Sequence, residues 1–317
     1  MKNLSLNATD RITILYNFVV VIFIFIFRAK VATYGYHLAF NLFVILVVLL
    51  LCSARMSSFK KIGTGASDTF CKMPVNSFLC GLSLWYPLAL YGLLYYQTGL
   101  INTVVIPRFL DSFFLNLDVR IFGQFPGFFL NGANGNAFLD EFFHFFYFSY
   151  YLIIPMTFIL LYRKDVKLFE CFVFQLSCLF YVCYVIYIFL PVEGPIPFRN
   201  EYYLQHGLFR TIMDFIWTKG ENPGAGFPSS HVAVTFLLAC WGSKQFKRLK
   251  IFYWLTCLFL SIATVYCMFH YAVDVIGGLL LGVLAVLTFS WASHYSSNCV
   301  SCSLNEANAE DDALSAK

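Results

Sequence analysis

The sequence predicts an all-α polytopic membrane protein, a bundle of about six to eight transmembrane helices with its site at one membrane face. Two observations lead to this prediction. Hydrophobic residues make up 60% of the 317 residues and charged residues only 12%, against about 45–50% and about 25% in an ordinary soluble domain. The apolar residues also form uninterrupted runs, such as residues 12–27, instead of the stripe of a helix that packs on a soluble core.

Eight apolar runs are candidate membrane spans, because each approaches the roughly 20 residues that a helix needs to cross the hydrocarbon layer. The first run follows Lys2 and Arg11, as a signal peptide would. Its apolar core is long and no convincing small-residue cleavage site follows, so we interpret it as an anchor. The predicted spans are 12–27, 36–54, 78–97, 141–162, 169–190, 229–243, 251–269 and 271–292.

The basic residues between the spans orient the bundle. With the N-terminus inside, fourteen of the 21 lysines and arginines lie on the inner side and seven on the outer side. This bias places two long connections, about 98–140 and 191–228, on the outer face. The net charge of +4 is spread over several loops without a basic tract, which argues against nucleic acid as a partner.

The first outer connection is rich in Phe, Pro and Gly. Its aromatic residues are expected at the level of the lipid headgroups, with its charged residues in water. It forms either a lid or platform for lipid, or a structured interfacial loop without a role in binding. The charged residues expected in water are Arg108, Asp111, Asp118 and Arg120.

Two short motifs, Gly226 to His231 and His270 to Asp274, carry the chemistry. A single helical hairpin between them returns the chain to the same membrane face, so the two histidines can meet. On a helix, the spacing of four residues brings Asp274 next to His270, where a carboxylate fixes the imidazole tautomer and stabilises the imidazolium. Taken alone, this pair is equally well explained as a polar lock at a helix end.

The serines before His231 open a helix whose first backbone N–H groups face outward with the positive end of the helix dipole. Such a terminus binds phosphate. Ser229 and Ser230 are therefore candidate phosphate-binding residues, and His231 is a candidate proton donor to a leaving oxygen. Ordinary helix capping by serine is the alternative explanation, and the occurrence of both motifs at one face favours the site.

The sequence Pro228-Ser229-Ser230-His231, with the later His270 and Asp274, resembles the second and third signatures of the phosphatidic-acid phosphatase type 2 superfamily of lipid phosphatases and phosphotransferases. The resemblance implies that His270 is the nucleophile that becomes phosphorylated. It also implies that Asp274 orients His270 and that His231 donates a proton to the leaving group.

The sequence departs from that family in two places. Ala263 and Thr264 stand where its lipid phosphatases usually carry a Ser-Arg pair, and the lysine and Arg-Pro of the first signature are missing. Several segments look instead like the branch that contains fungal inositol phosphorylceramide synthase, which moves a phospho-headgroup between lipids. These segments are Leu190 to Pro195, Asp118 to Pro126, Asp140 to Tyr151 and Ala263 to Tyr266.

A bound phosphate needs cations. Arg199 is the first candidate, followed by Arg210 and Lys219, although arginines in such loops are also commonly solvated or bound to lipid headgroups. Glu193 is a candidate for orienting an acceptor hydroxyl. No metal cluster and no cofactor is expected, since His270 and Asp274 alone do not make a metal site.

We divide the chain into N-terminal membrane-anchor helices (1–77), a catalytic transmembrane domain (78–295, with core motifs in 191–292) and a polar, disordered tail (296–317). The tail contains Cys299 and Cys302, a lone C-x-x-C that we leave unassigned.

The predicted function is a multi-pass membrane enzyme, with its active site on the non-cytoplasmic face, that acts on a lipid phosphate ester. Within that class, the sequence favours transfer of the phospho-headgroup to a lipid alcohol. The first alternative is a lipid phosphate phosphatase that releases inorganic phosphate. The second alternative is an inactive lipid-binding scaffold or a transporter. The oligomeric state stays open.

Overall fold

The computed structural model describes residues 6–62, 78–131, 136–202, 207–220 and 222–289. Within these ranges the chain forms helices and no strand, which confirms the predicted fold class. In chain order the helices are α1 (Ala8–Ile26), α2 (Tyr34–Ile62), α3 (Phe78–Ile101), α4 (Asp111–Phe122), α5 (Pro126–Asn131), α6 (Ala137–Lys164), α7 (Val166–Phe189), α8 (Ile196–Tyr202), α9 (Leu208–Gly220), α10 (Ser230–Gln245), α11 (Lys250–Tyr266) and α12 (Ala272–Phe289).

Each of the eight predicted spans corresponds to a helix. Among the described residues, six helices are long and apolar enough to cross a membrane, namely α1, α2, α6, α7, α11 and α12. Of the other two, α10 has only 16 residues, and several tyrosines and Gln97 lower the mean hydropathy of α3. Leu46 on α2 and Leu284 on α12 are more than half exposed, as expected for side chains that contact lipid.

Polar side chains determine where several helices begin. Asn7 and Asp10 form a reciprocal capping box at the start of α1. Asp165 accepts hydrogen bonds from the backbone N–H groups of Lys167 and Leu168 at the start of α7. Such contacts pair N–H groups that have no partner inside the helix, which matters most where no water is present to replace them.

Helix α7 is the centre of the bundle and contacts α1, α3, α6 and α10. Helices α10 and α12 cross at close range because α12 carries Gly278 and Gly282 one turn apart. A Cβ atom at Gly278 would lie 2.5 Å from the Ser229 carbonyl oxygen, and one at Gly282 would lie 3.1 Å from the Ala233 carbonyl oxygen. Small residues at this spacing let two helix backbones approach each other.

The two long connections, about 98–140 and 191–228, meet at one end of the bundle. The backbone N–H of Leu110 donates to the Pro191 carbonyl at 2.9 Å, which joins the two long connections. The expectation that all the charged residues of the first connection remain in water was wrong. Arg108 and Arg120 are exposed, but Asp111 is partly buried and Asp118 is fully buried, because both carboxylates accept backbone hydrogen bonds.

Helix α11 ends at Tyr266, and α12 begins only at Ala272. His270 therefore lies in the turn between the two helices, whereas its spacing to Asp274 suggested a position on a helix. The chain leaves the helical path at Met268, whose φ is 55°. The predicted division at residue 77 stays a prediction, although α2 packs directly on α3. The tail, with Cys299 and Cys302, lies outside the described residues.

Candidate active site

The turn that carries His270 is held from two sides. The backbone N–H groups of Phe269 and His270 both donate to the Thr264 carbonyl at 3.0 Å. From α4, Asp118 accepts hydrogen bonds from the backbone N–H groups of Ala272 (2.8 Å) and Val273 (2.9 Å). Burial raises the pKa of the Asp118 carboxyl, and these two hydrogen bonds offset part of that rise.

The His270 ring has a defined tautomer. Its Nδ1 atom lies 3.0 Å from the Gly226 carbonyl oxygen and 3.5 Å from Oδ2 of Asp274. A carbonyl oxygen can only accept a hydrogen bond, so Nδ1 carries the proton and Nε2 keeps a lone pair. Asp274 also accepts the backbone N–H of Tyr271 at 2.8 Å, which fixes the carboxylate beside the ring.

Backbone hydrogen bonds connect the loop before α10 to the rest of the site. The backbone N–H of Gly226 donates to the Val192 carbonyl at 2.6 Å, and that of Ser229 donates to the Asp274 carbonyl at 3.0 Å. Ser229 is the N-cap residue of α10 and accepts the backbone N–H of Val232 at 3.5 Å. The two sequence motifs are thus joined through their backbones as well as through His270.

The His231 ring lies next to the reactive edge of His270. Nδ1 of His231 is 3.4 Å from Nε2 of His270. Two lone pairs would repel each other at that distance, so Nδ1 of His231 is the nitrogen that carries the proton. The rings of Tyr147 and Tyr150 hold His231 in place, with ring centroids 4.8 Å and 4.3 Å away.

Both histidines line a cavity of about 390 Å³, within the range of about 300–1,000 Å³ that is usual for ligand sites. One end of the cavity is polar and includes Glu193, Ser230, His231 and His270. The rest of the lining comes from α3, α6 and α7, from α8 and α9, and from the loops next to the histidines, and it is mostly aromatic and apolar. The cavity thus combines a polar end with apolar walls suited to hydrocarbon.

Of the predicted site residues, Glu193, Ser230, His231 and His270 lie together on the cavity, and Ser229 and Asp274 are fully buried behind them. Arg199 and Lys219 are not among the lining residues, and Lys219 is exposed. Arg199 instead supports the back of the His270 turn, where Nε donates to the Cys267 carbonyl at 2.8 Å.

The other contacts of Arg199 reinforce this placement. Its guanidinium lies 4.1 Å from the centroid of the Phe269 ring and pairs with Asp214 at 3.1 Å. Arg210 also contacts Asp214, at 3.5 Å. Among the described residues that line the cavity, none is a lysine or an arginine.

No cluster of three or more His, Cys, Asp or Glu side chains is arranged for a metal ion within the described part of the chain.

The family model of the PAP2 superfamily matches residues 112–288, more than half of the chain. The chain belongs to the PAP2 superfamily. PAP2 membership supports a function of the lipid phosphatase or phosphotransferase type. Comparison with curated proteins and with solved structures gave no match. The matched region runs from α4 to α12 and includes both histidines, whereas α1, α2 and α3 lie outside it.

Sequence reasoning missed four contributors to this site. Asp118 was expected in water, although an aspartate among apolar and aromatic residues is itself a signal of a buried acceptor. Tyr147 and Tyr150, which hold His231, gave no signal beyond their place in a segment that resembles the family. The Gly226 carbonyl could not be foreseen at all, because a backbone oxygen leaves no mark in the sequence.

Proposed function

We propose that this PAP2 protein transfers the phospho-headgroup of a membrane lipid to a lipid alcohol through a phosphohistidine on His270, a reaction of the inositol phosphorylceramide synthase type. The observation that supports it best is the defined tautomer of His270. Its Nε2 lone pair faces the polar end of the cavity and the protonated edge of His231.

In the first step, Nε2 of His270 attacks phosphorus and the bond from phosphorus to the departing lipid oxygen breaks. His231 is the imidazolium when the anionic lipid is bound; it gives one proton to that oxygen and becomes neutral, so the lipid leaves as an alcohol. The imidazole gains positive charge as the P–N bond forms, and the buried Asp274 carboxylate, 3.5 Å from Nδ1, stabilises it. The N–H groups at the start of α10 stabilise the phosphoryl oxygens.

In the second step, a hydroxyl group of the acceptor attacks phosphorus and its proton passes to His231. The P–N bond breaks, and the electron pair returns to Nε2 of His270. Glu193, which lines the same end of the cavity, orients the acceptor hydroxyl. Both histidines return to their starting protonation states, so the cycle needs no cofactor.

The charge of the cavity supports transfer of a headgroup over release of inorganic phosphate. A phosphate monoester carries up to two negative charges and requires cations, yet the described lining contains Glu193 and no lysine or arginine. A phosphodiester lipid carries a single negative charge on its phosphate. After attack by His270, the headgroup phosphate stays on the enzyme until the acceptor arrives.

A lipid phosphate phosphatase is the second candidate: with a lipid phosphate monoester as donor, His270 would carry an unsubstituted phosphoryl group, and water in place of the lipid alcohol would release it as inorganic phosphate. It is favoured by family membership itself. For either reaction we place the active site on the non-cytoplasmic face, because the basic residues of the chain are concentrated on the other side.

The test uses purified protein and a phospholipid that carries ³²P in its headgroup phosphate. The wild type is quenched in base, under which a phosphohistidine survives, and is expected to retain label that the His270→Ala variant lacks. Addition of a lipid alcohol should move the label into a new lipid. Label that appears only in a water-soluble headgroup phosphate shows that water is the acceptor, and a wild type that never takes up label refutes the proposal in favour of a scaffold or transporter.

A further inference from the structure

The cavity extends from the histidines into a groove between α3 and α6. Both helices pack on α7, which forms the floor of the groove. The groove is lined by Leu88, Tyr91, Gly92 and Tyr95 from α3, by Tyr147, Tyr150, Tyr151, Ile154 and Pro155 from α6, and by Phe180 and Tyr184 from α7. A lining of this kind suits a hydrocarbon chain, because it is apolar over most of its surface.

The groove opens towards the outside of the bundle. Tyr184 on the floor is 1% exposed, whereas Tyr151 at the edge of α6 is 40% exposed and Gly92 at the edge of α3 is exposed. The neighbouring leucines, Leu93 on α3 and Leu152 on α6, are each more than half exposed. In a helix bundle that spans a membrane, such leucines contact lipid tails, so the mouth of the groove lies at the level of the hydrocarbon.

We infer that this groove binds a hydrocarbon chain of the lipid substrate and that Gly92 determines which chains it accepts. The inference rests on the proposed function, because it takes the substrate to be a lipid. A Cβ atom at Gly92 would meet no other atom within 4 Å, so a larger side chain there would extend into open space at the mouth. Helix α3 lies outside the matched region 112–288, so family membership alone does not describe this wall of the groove.

The test compares Gly92→Phe with Gly81→Phe. Gly81 lies on the same helix, a Cβ atom there would also meet no other atom within 4 Å, and it does not line the cavity. It therefore controls for a bulky residue on α3. Each variant is assayed with two donors that share a headgroup, one with long acyl chains and one with four-carbon chains that is soluble in water. The measured quantity is kcat/KM for the long-chain donor divided by kcat/KM for the short-chain donor.

We expect Gly92→Phe to lower this ratio at least tenfold and Gly81→Phe to leave it within twofold of the wild type. An unchanged ratio in Gly92→Phe would overturn the inference. So would an equal fall of the ratio in both variants, because the effect would then belong to the helix and not to the groove.

A second measurement does not depend on turnover. A phospholipid with a diazirine at the end of one acyl chain is photolysed with the His270→Ala protein, and the labelled peptides are identified by mass spectrometry. Labels at residues 88–95 and 151–155 support the groove even if the wild type turns over neither donor, in which case only the proposed function fails. Labelling confined to the outer helix faces, unchanged by Gly92→Phe, would refute the groove.

Discussion

The two ends of α7 each hold a buried polar cluster, and the clusters differ in one decisive respect. At the end near Phe189, the histidines line a cavity of about 390 Å³. At the other end, about 30 Å away along the helix, Asp10 is buried against Arg55 and accepts a hydrogen bond from Tyr86 at 3.1 Å. The adjacent void measures only about 10 Å³, close to the least space that one water requires.

Buried polar side chains therefore do not by themselves indicate a site in this bundle. In the ion-pair cluster, opposite charges face each other directly and leave no room for a ligand, as expected for a lock between α1 and α2. In the histidine cluster, Nε2 of His270 lies beside Nδ1 of His231, and both rings line the cavity. The proposed reactive end therefore has room for a ligand next to its polar groups, and the ion-pair end does not.

The largest predicted effect is a loss of activity on substitution at the histidine end of α7. His270→Ala is expected to lower kcat at least about 10⁴-fold, because it removes the nucleophile, while thermal unfolding in detergent stays close to that of the wild type. The assay is transfer of labelled headgroup alongside a melting curve. Retention of more than a hundredth of the wild-type rate would show that His270 is not the nucleophile.

The next effect concerns the proton donor. His231→Ala is expected to lower kcat about 10²–10⁴-fold for a lipid donor, whose alcohol leaves only when protonated. A donor with a nitrophenyl leaving group, which departs as an anion, should lose much less. Equal losses with the two donors would contradict the assignment and point to a role of His231 in holding the ring of His270.

A substitution in the ion-pair cluster should lower the stability of the protein and leave its activity unchanged. Arg55→Met leaves the Asp10 carboxylate buried without its cation and is expected to cost about 3–5 kcal/mol of folding free energy. Adding Asp10→Asn should restore part of this loss. Melting curves in detergent measure the stability, and kcat/KM of the surviving folded protein should equal that of the wild type. A fall in kcat/KM would break the proposed separation of the two ends.

The smallest effect uses two matched aspartates. Asp118 receives two N–H groups at the start of α12 beside His270, and Asp165 receives two at the start of α7 at the opposite end. Each Asp→Ala change is expected to cost about 1 kcal/mol of stability. Only Asp118→Ala should also lower kcat, by about tenfold, without a matching change in KM. Equal kinetics in the two variants would limit Asp118 to a purely structural role.

The sequence by itself determined the helical bundle. Apolar runs near the length of a membrane span form helices, because a helix pairs all its backbone polar groups within the segment. It also predicted that His231 and His270 share a face, because one helical hairpin separates them. Capping residues such as Ser229 could likewise be identified, since capping is a local interaction between residues two or three positions apart.

Only the tertiary structure decided which distant groups contact the histidine turn. The Gly226 carbonyl that fixes the His270 tautomer is 44 positions away in the chain, and the Asp118 carboxylate that caps α12 is 154 positions from Ala272. It also placed Arg199 against the back of the His270 turn, a contact that the sequence did not indicate. These contacts form when distant connections pack at one end of the bundle, and neither residue type nor local spacing records which backbone groups will meet there.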